Sequence, residues 1–496
     1  METQLRELIG GELRRRHGIG LMESKIKPVH IANALMREEH RVVGRMADLK
    51  HLMTATAAKE TPERQQEAAR RLVERSRERW GRLADEPDLK KSVLMTKVLP
   101  LLRTILGTDG AAFGATPEMS SFSSPSALTV TRDPSDDHAG AVIHRLWNGN
   151  TPEDRLPILV LLHRLTDPKQ DLANLDDLTA VLAPLAEDPT DYNPSNFLGE
   201  DLANRPFTEI DQALRAAAAD LSRYEEDLRP NPIATLQRII VLASVSLFTF
   251  AASRGHVWAG LPRRPLLLDT VGSNRHSGVA SASEQTVKRL LDDGRRYMAL
   301  VLTQLLDEQD PDWPDCPAET LAKLFESHLK KTKMPSLKNV SEIAEELREE
   351  GANIREVLPD RLMDTIDNAS RGLDGYLRLL GIRAGLLYPQ QKNPMKRLIP
   401  SDRTLEVLVA STIDVTQRPM EYRDFLDRFY ERWHIVTGGR LEDALILADA
   451  GIPVPTADLT ENADRLLSRL EMLGLARKLA DSVAVVGMME GENARH

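Results

Sequence analysis

Apolar residues recur at three- and four-residue intervals along most of this chain, and charged residues fill the positions between them. That is the pattern of helices with one buried stripe. It is clearest in Glu63–Trp80, where Thr61 and Pro62 offer an N-cap and a first-turn proline, and Glu67 and Arg71 fall one turn apart on the wet face. Lys91–Leu106 reads as an apolar helix with a kink expected at Pro100, which brings no amide hydrogen to the ladder. Further helices are expected at Ala141–Trp147, Leu156–Leu165, Thr208–Asp227 and Asn231–Ser253. The last contains Ile239–Ala252, apolar for 14 residues with no polar face. It is shorter than the ~20 residues of a bilayer span and is expected as a core helix.

Breaks in the pattern divide the chain. Gly107–Gly140 is rich in Gly, Ser, Pro and Asp without helical period and reads as a linker or flexible loop. In Arg263–Ser283 three leucines run into Asp269, and a Gly/Ser/Asn loop then leads to a helix over Glu284–Leu306, a strand–loop–helix signal in an otherwise helical chain. Asp307–Pro317 and Tyr388–Asp402 are further breaks. The expected organisation is a helical region over 1–106, the linker 107–140, a central helical domain over 141–306, a helical region over 307–390 and a separate domain over 391–496.

Composition narrows the class. Hydrophobic residues make up 41% and aromatic residues 4% of the 496 positions, which favours helices over sheets. The single cysteine, Cys316, excludes an internal disulfide framework and any zinc site with two thiolates, and suits a reducing, cytoplasmic setting. Met1–Gly20 lacks the apolar core of a secretory signal. The net charge of −10 conceals an asymmetry: residues 1–100 hold 21 Lys+Arg against 15 Asp+Glu, whereas 101–230 hold 10 against 22. The basic end offers Arg14, Arg15, Arg16, Arg71, Arg75 and Arg79 to a phosphate backbone or an acidic partner, with Trp80 as a nearby stacking aromatic.

Catalytic chemistry leaves no signature. Gly272–Gly278 resembles a phosphate-binding loop, but Val279 and Ala280 stand where a Walker sequence has Lys and Ser/Thr, and the three-glycine dinucleotide spacing fails as well. Arg275 and His276 in this loop are read as partner or nucleic-acid contacts. His17, His30, His40, His51, His144 and His163 lack metal-binding spacing, and neither a nucleophile elbow nor a His-Glu-x-x-His run occurs. No catalytic residue, cofactor or metal ligand is assigned.

The last hundred residues carry the most specific pattern. Helices are expected at Ser401–Ile413, Met420–Ile435, Leu441–Ala450 and Leu459–Leu475, followed by strand-like Ala476–Gly487 with a turn at Ala480–Ser482. Helices ending in Leu-Gly-Leu and then a basic hairpin resemble the winged-helix domain. The resemblance implies a recognition helix carrying Arg465 and Arg469 and a wing carrying Arg477 and Lys478. Glu461, Asp464 and Glu471 on the same helix depart from a DNA-reading pattern, and winged helices also serve as protein-docking modules.

The fold class is therefore mainly α, a multi-domain helical body with a C-terminal winged-helix domain. The layout is similar to helical accessory subunits of bacterial multi-gene phage-defence systems and to the kleisin subunits that bridge ATPases. It implies a non-enzymatic scaffold or adaptor with protein partners, DNA as a further contact and no membrane. The reading of another class is an enzyme with a site near Asp269–His276.

Overall fold

The computed structural model describes residues 2–22, 26–45, 49–58, 60–75, 77–105, 130–167, 187–193, 205–227, 232–258, 263–270, 277–327, 338–367, 372–390, 395–413, 419–479 and 483–487. The protein is mainly helical, with a few short strands. Two compact units divide the chain: a small one of Lys27–Phe197 and Leu228–Ala243, and a large one of Met1–Ile26, Leu198–Asp227 and Ser244–His496.

In the small unit, α2 (Pro28–His40) packs against α7 (Ala139–Asn148) and α8 (Pro157–Thr166), and β1 (Val42–Arg45) pairs antiparallel with β2 (Glu187–Asp191). A Cβ on Gly140 would lie 2.4 Å from the Ala34 Cβ and 2.6 Å from the Leu35 amide, so α7 approaches α2 this closely only because position 140 is glycine. Residues 107–129 of the expected linker lie outside the described residues. From Val130 onward the segment is packed: Asn33 donates to the Thr131 carbonyl (3.1 Å) and accepts from its amide (2.8 Å), while Arg37 donates to the carbonyls of Thr131 and Asp133. A Gly/Ser/Asp-rich composition cannot reveal a strap held by side chains a hundred residues earlier.

A second cluster in this unit gathers Leu52, Ala69, Leu72, Trp80, Leu99 and Leu102 from α3 (Leu49–Ala55), α4 (Pro62–Arg75), α5 (Arg77–Trp80) and α6 (Leu99–Ile105), with Leu94 from the segment just before α6. Thr61 Oγ1 accepts from the Arg64 amide (3.4 Å) and Arg71 pairs with Glu67 (3.1 Å), as the spacing led one to expect. Before Pro100 the chain widens into a π-helical turn, Leu94–Val98. A turn of that kind absorbs the missing proline donor without a break in the helix.

The large unit is organised on the long helix α11 (Gly278–Gln309), together with α9 (Glu209–Asp227) and α10 (Pro232–Trp258), whose residues from Ser244 onward belong here. Ser277 caps α11 by accepting from the Ala280 amide (3.0 Å). Helices α12 (Ala318–Ser327), α13 (Lys338–Glu349), α14 (Ile354–Asp367) and α15 (Leu373–Arg383) follow, and α11 packs on α14 and α15. The strand expected after Arg263 is present as β3 (Leu266–Leu267) and pairs in parallel with β7 (Ile435–Val436), a partner about 170 residues away that periodicity cannot name. On its other side Leu268 bridges Leu398 of β5 (Arg397–Leu398), which pairs antiparallel with β4 (Leu387–Tyr388).

The C-terminal region comprises α16 (Asp402–Ala410), β6 (Met420–Glu421), α17 (Tyr422–Trp433), β7, α18 (Asp443–Asp449), α19 (Thr456–Met472), β8 (Ala476–Lys478) and β9 (Ala484–Val486). The helix expected over Met420–Ile435 is shorter at both ends. Met420 is drawn into pairing with Val486, and His434 turns left-handed (φ 57°) so that Ile435 can pair with Leu266. Strands β6, β9 and β8 form one antiparallel sheet in that order.

Candidate docking and nucleic-acid interface

One buried side chain ties helix α19 to the ends of the two parallel strands. Asn462 is fully buried and donates from Nδ2 to the Leu268 carbonyl (2.7 Å) and the Thr437 carbonyl (2.8 Å). Its Oδ1 accepts from the Thr270 amide (3.0 Å) and hydroxyl (2.5 Å). Both parallel strands end on this amide group, which has the two donors and the acceptor that the task needs. Gly438 lies alongside with φ +100°, where a Cβ would meet the Leu459 carbonyl oxygen at 2.2 Å. Asp443 receives the Gly438 amide at 2.8 Å, and burial pushes its carboxyl above the usual range.

The four cations assigned to the helix and hairpin are mostly spent within the protein. Arg465 pairs with Glu461 (2.6 Å), Arg469 with Asp402 (2.6 Å) and with the Pro400 carbonyl (2.7 Å), and Lys478 with Glu471 (3.3 Å). Arg477 is exposed and makes no ion pair among the described residues. Apolar side chains stand out on the same unit: Met472 at the end of α19 is 80% exposed, and Leu479 and Val483 flank the hairpin turn, where the Leu479 amide donates to the Val483 carbonyl (2.7 Å). Three neutralised cations leave little field to attract phosphates, whereas exposed apolar atoms gain from being covered.

The N-terminal arginines do not share one setting. Arg14, Arg15 and Arg16 lie on α1 (Glu2–His17) in the large unit, and Arg71, Arg75 and Arg79 lie in the small one. Arg14 and Arg15 are exposed, and Arg15 forks onto Glu12 at 2.6 and 2.7 Å. Arg16 is only 5% exposed, bonds to Glu12 and reaches Gln304 at 2.5 Å, so it bridges α1 to α11 instead of facing a partner. Its neighbour His17 contacts the Tyr297 hydroxyl, and burial holds that imidazole well below its usual pKa. Arg71 and Arg75 are exposed on α4; the side chain of Arg79 lies outside the described residues.

Arg275 and His276, with most of the Gly272–Gly278 loop, also lie outside the described residues. Asp269, the anchor of the enzymatic reading, is fully buried, accepts from Arg397 (2.7 Å) and donates its amide to the Leu398 carbonyl. There it ties β3 to β5.

One cluster escaped the sequence reading. Glu39 is buried and accepts from His144 (3.2 Å), Arg155 (2.6 Å) and His163 (3.2 Å); against the opposing effect of burial, His144 and Arg155 bring its pKa down to about 2. His40 stacks on His163 with ring centroids 4.5 Å apart and donates to Thr166 (2.6 Å); burial and the neighbouring His163 lower its pKa to about 4. Every oxygen of Glu39 is occupied within the protein, so the group acts as a clip joining α2, α7 and α8. Its members are about a hundred residues apart, and only the Glu39–His40 adjacency was visible in one dimension. Among the described residues no cluster of His, Cys, Asp and Glu could hold a metal ion.

Among the described residues one stretch, Ala234–Arg254, is long and apolar enough to cross a membrane, and 72% of its most apolar window is buried in the protein. Compared with known protein families, curated proteins and solved structures, the chain matches none.

Proposed function

We propose that this chain is a non-enzymatic scaffold or adaptor subunit and that its C-terminal region is a winged-helix-type module used for protein docking. The observation that carries the reading is the pairing of Arg465, Arg469 and Lys478 with Glu461, Asp402 and Glu471 beside the exposed Met472, Leu479 and Val483. The winged-helix assignment is supported by α19 leading directly into β8 and β9 and by the sheet order β6–β9–β8. In such a module the helix and hairpin would ordinarily face the duplex. Here most of the cations are already bound to carboxylates, and mixed charge repels phosphate within about one Debye length, roughly 8 Å at physiological salt.

An assembly role is also what the layout's likeness to accessory subunits of multi-gene defence systems and to kleisins suggests. DNA contact through the exposed Arg14, Arg15, Arg71 and Arg75 is a secondary part of the proposal, electrostatic and without base readout. The test substitutes Met472, Leu479 and Val483 together by Asp in the full chain. The variant is expected to lose the protein partners that co-purify with the wild type from its native host while keeping the wild-type unfolding midpoint. Undiminished recovery of the same partners would refute docking through this surface.

A further inference from the structure

Helix α18 has two faces of different character. Its inner face is anchored by the fully buried Asp443 and Leu447, the latter packed with Leu267, Val436, Ile452 and Leu459. Its outer face carries Leu445, 67% exposed, and the exposed Ala448, and Leu441, 78% exposed, stands two residues before the helix begins. Glu442 precedes the helix in a helical conformation (φ −83°, ψ −15°), so Leu441, Leu445 and Ala448 follow one another at i, i+4 and i+7 along a single stripe. Two leucines left in water one turn apart forgo the favourable transfer that burial against a partner would return.

The rim of this stripe is acidic. Glu442 is 60% exposed and Asp449 is exposed. The cation at the start of the helix, Arg440, is outnumbered by carboxylates: it pairs with Asp427 (2.7 Å), with Asp443 (3.5 Å) and more loosely with Glu442 (3.9 Å), and it lies over the Tyr430 ring at 4.3 Å. At the other end Arg289 gives its guanidinium to the carbonyls of Ala450 and Gly451. We infer that the stripe is a second docking surface, fitted to a partner protein with an apolar groove rimmed by Lys or Arg. Spacing of this kind is how an amphipathic helix seats in a groove. A second copy of the chain is the poorer occupant, because a two-fold contact through the stripe would bring Glu442 and Asp449 against their own copies.

The inference rests on the docking reading above for its general sense, and its test addresses a different face. A photo-crosslinking amino acid is placed at position 445 of the full chain in the native host. The adduct is identified by mass spectrometry, and the identified partner is purified and titrated against the wild type, Leu441→Ala/Leu445→Ala and Glu442→Lys/Asp449→Lys. The expected result is a heteromeric adduct, with binding weakened about 30-fold or more by the leucine pair and about tenfold by the charge reversal, the latter difference fading at high salt. An adduct with a second copy, no adduct at all, or a partner indifferent to the charge reversal would each overturn it. The Met472/Leu479/Val483 triple variant, carried through the same titration, separates failure of this face from failure of the hairpin surface.

Discussion

Replacing Asn462 by Leu keeps the side-chain size nearly constant and removes the side-chain hydrogen bonds that tie α19 to the parallel strands. The Leu268 and Thr437 carbonyls and the Thr270 amide lose their partner, whereas the Thr270 hydroxyl retains the Asn462 carbonyl at 2.9 Å. Leaving a buried polar group unsatisfied costs about 1–3 kcal/mol, so three such groups with partial relaxation amount to roughly 3–5 kcal/mol. The loss is local, which makes native-state hydrogen exchange followed by mass spectrometry the suitable assay. Amides of Leu266–Leu268, Ile435–Thr437 and the middle of α19 are expected to exchange roughly two to three orders of magnitude faster. Amides of α2 and α7 in the small unit should keep their wild-type rates. Protection of the α19 amides unchanged within about threefold, a difference under 1 kcal/mol, would refute the anchoring role given to Asn462.

Three further outcomes are expected. Leu247 is fully buried in the apolar run of α10, so Leu247→Asp places an unpaired carboxylate in the core at a cost of several kcal/mol on the order of total domain stability, and the variant should be recovered unfolded or aggregated; a soluble protein melting like wild type would remove this helix from the core. Gly140→Ala forces a methyl against Ala34 and the Leu35 backbone and should lower stability by about 1–3 kcal/mol in urea unfolding followed in the small unit; no change would mean that α2 and α7 separate freely. His434, stacked on Tyr430 and bonded to the Arg263 carbonyl (2.8 Å), has its pKa lowered to about 4, first by burial and then by Arg263. Because the unfolded chain takes up this proton near pH 6.5 and the folded chain only near 4, the unfolded state binds more protons in that window. Stability is thus full above pH 6.5 and falls by up to about 3 kcal/mol as pH drops to 4. His434→Asn should flatten that slope in denaturant titrations, and an unaltered slope would contradict the assignment.

Much of the helical frame was legible because burial in a helix imposes its period on the chain: α9, the core of α10, α16 and α19 lie where the apolar spacing put them. The hairpin was legible for a similar reason, since Ala476–Lys478 and Ala484–Val486 flank a polar turn. Partners were not legible. Nothing near Leu266 announces Ile435, and nothing near Arg469 announces Asp402, because pairing across the fold depends on which faces the packing brings together. Charge was also misleading in one dimension: Arg14, Arg15 and Arg16 look equivalent, yet only the helical turn decides that Arg16 points inward to Gln304. In Leu441–Ala450 the apolar residues run unbroken from Ala444 to Ala448, and the sequence alone does not say that Leu447 is buried while Leu445 faces water.

The central claim, that the C-terminal helix and hairpin dock protein and do not read DNA, is tested most directly by titrating a labelled duplex with the full chain and with a variant in which Arg465, Arg469, Arg477 and Lys478 are all Ala. Any DNA affinity is expected to be the same for both proteins and to have the same salt slope, because three of these cations are already neutralised by Glu461, Asp402 and Glu471. Loss of binding in the variant, with a salt slope shallower by about three or four phosphate contacts, would contradict the claim and return the module to the duplex.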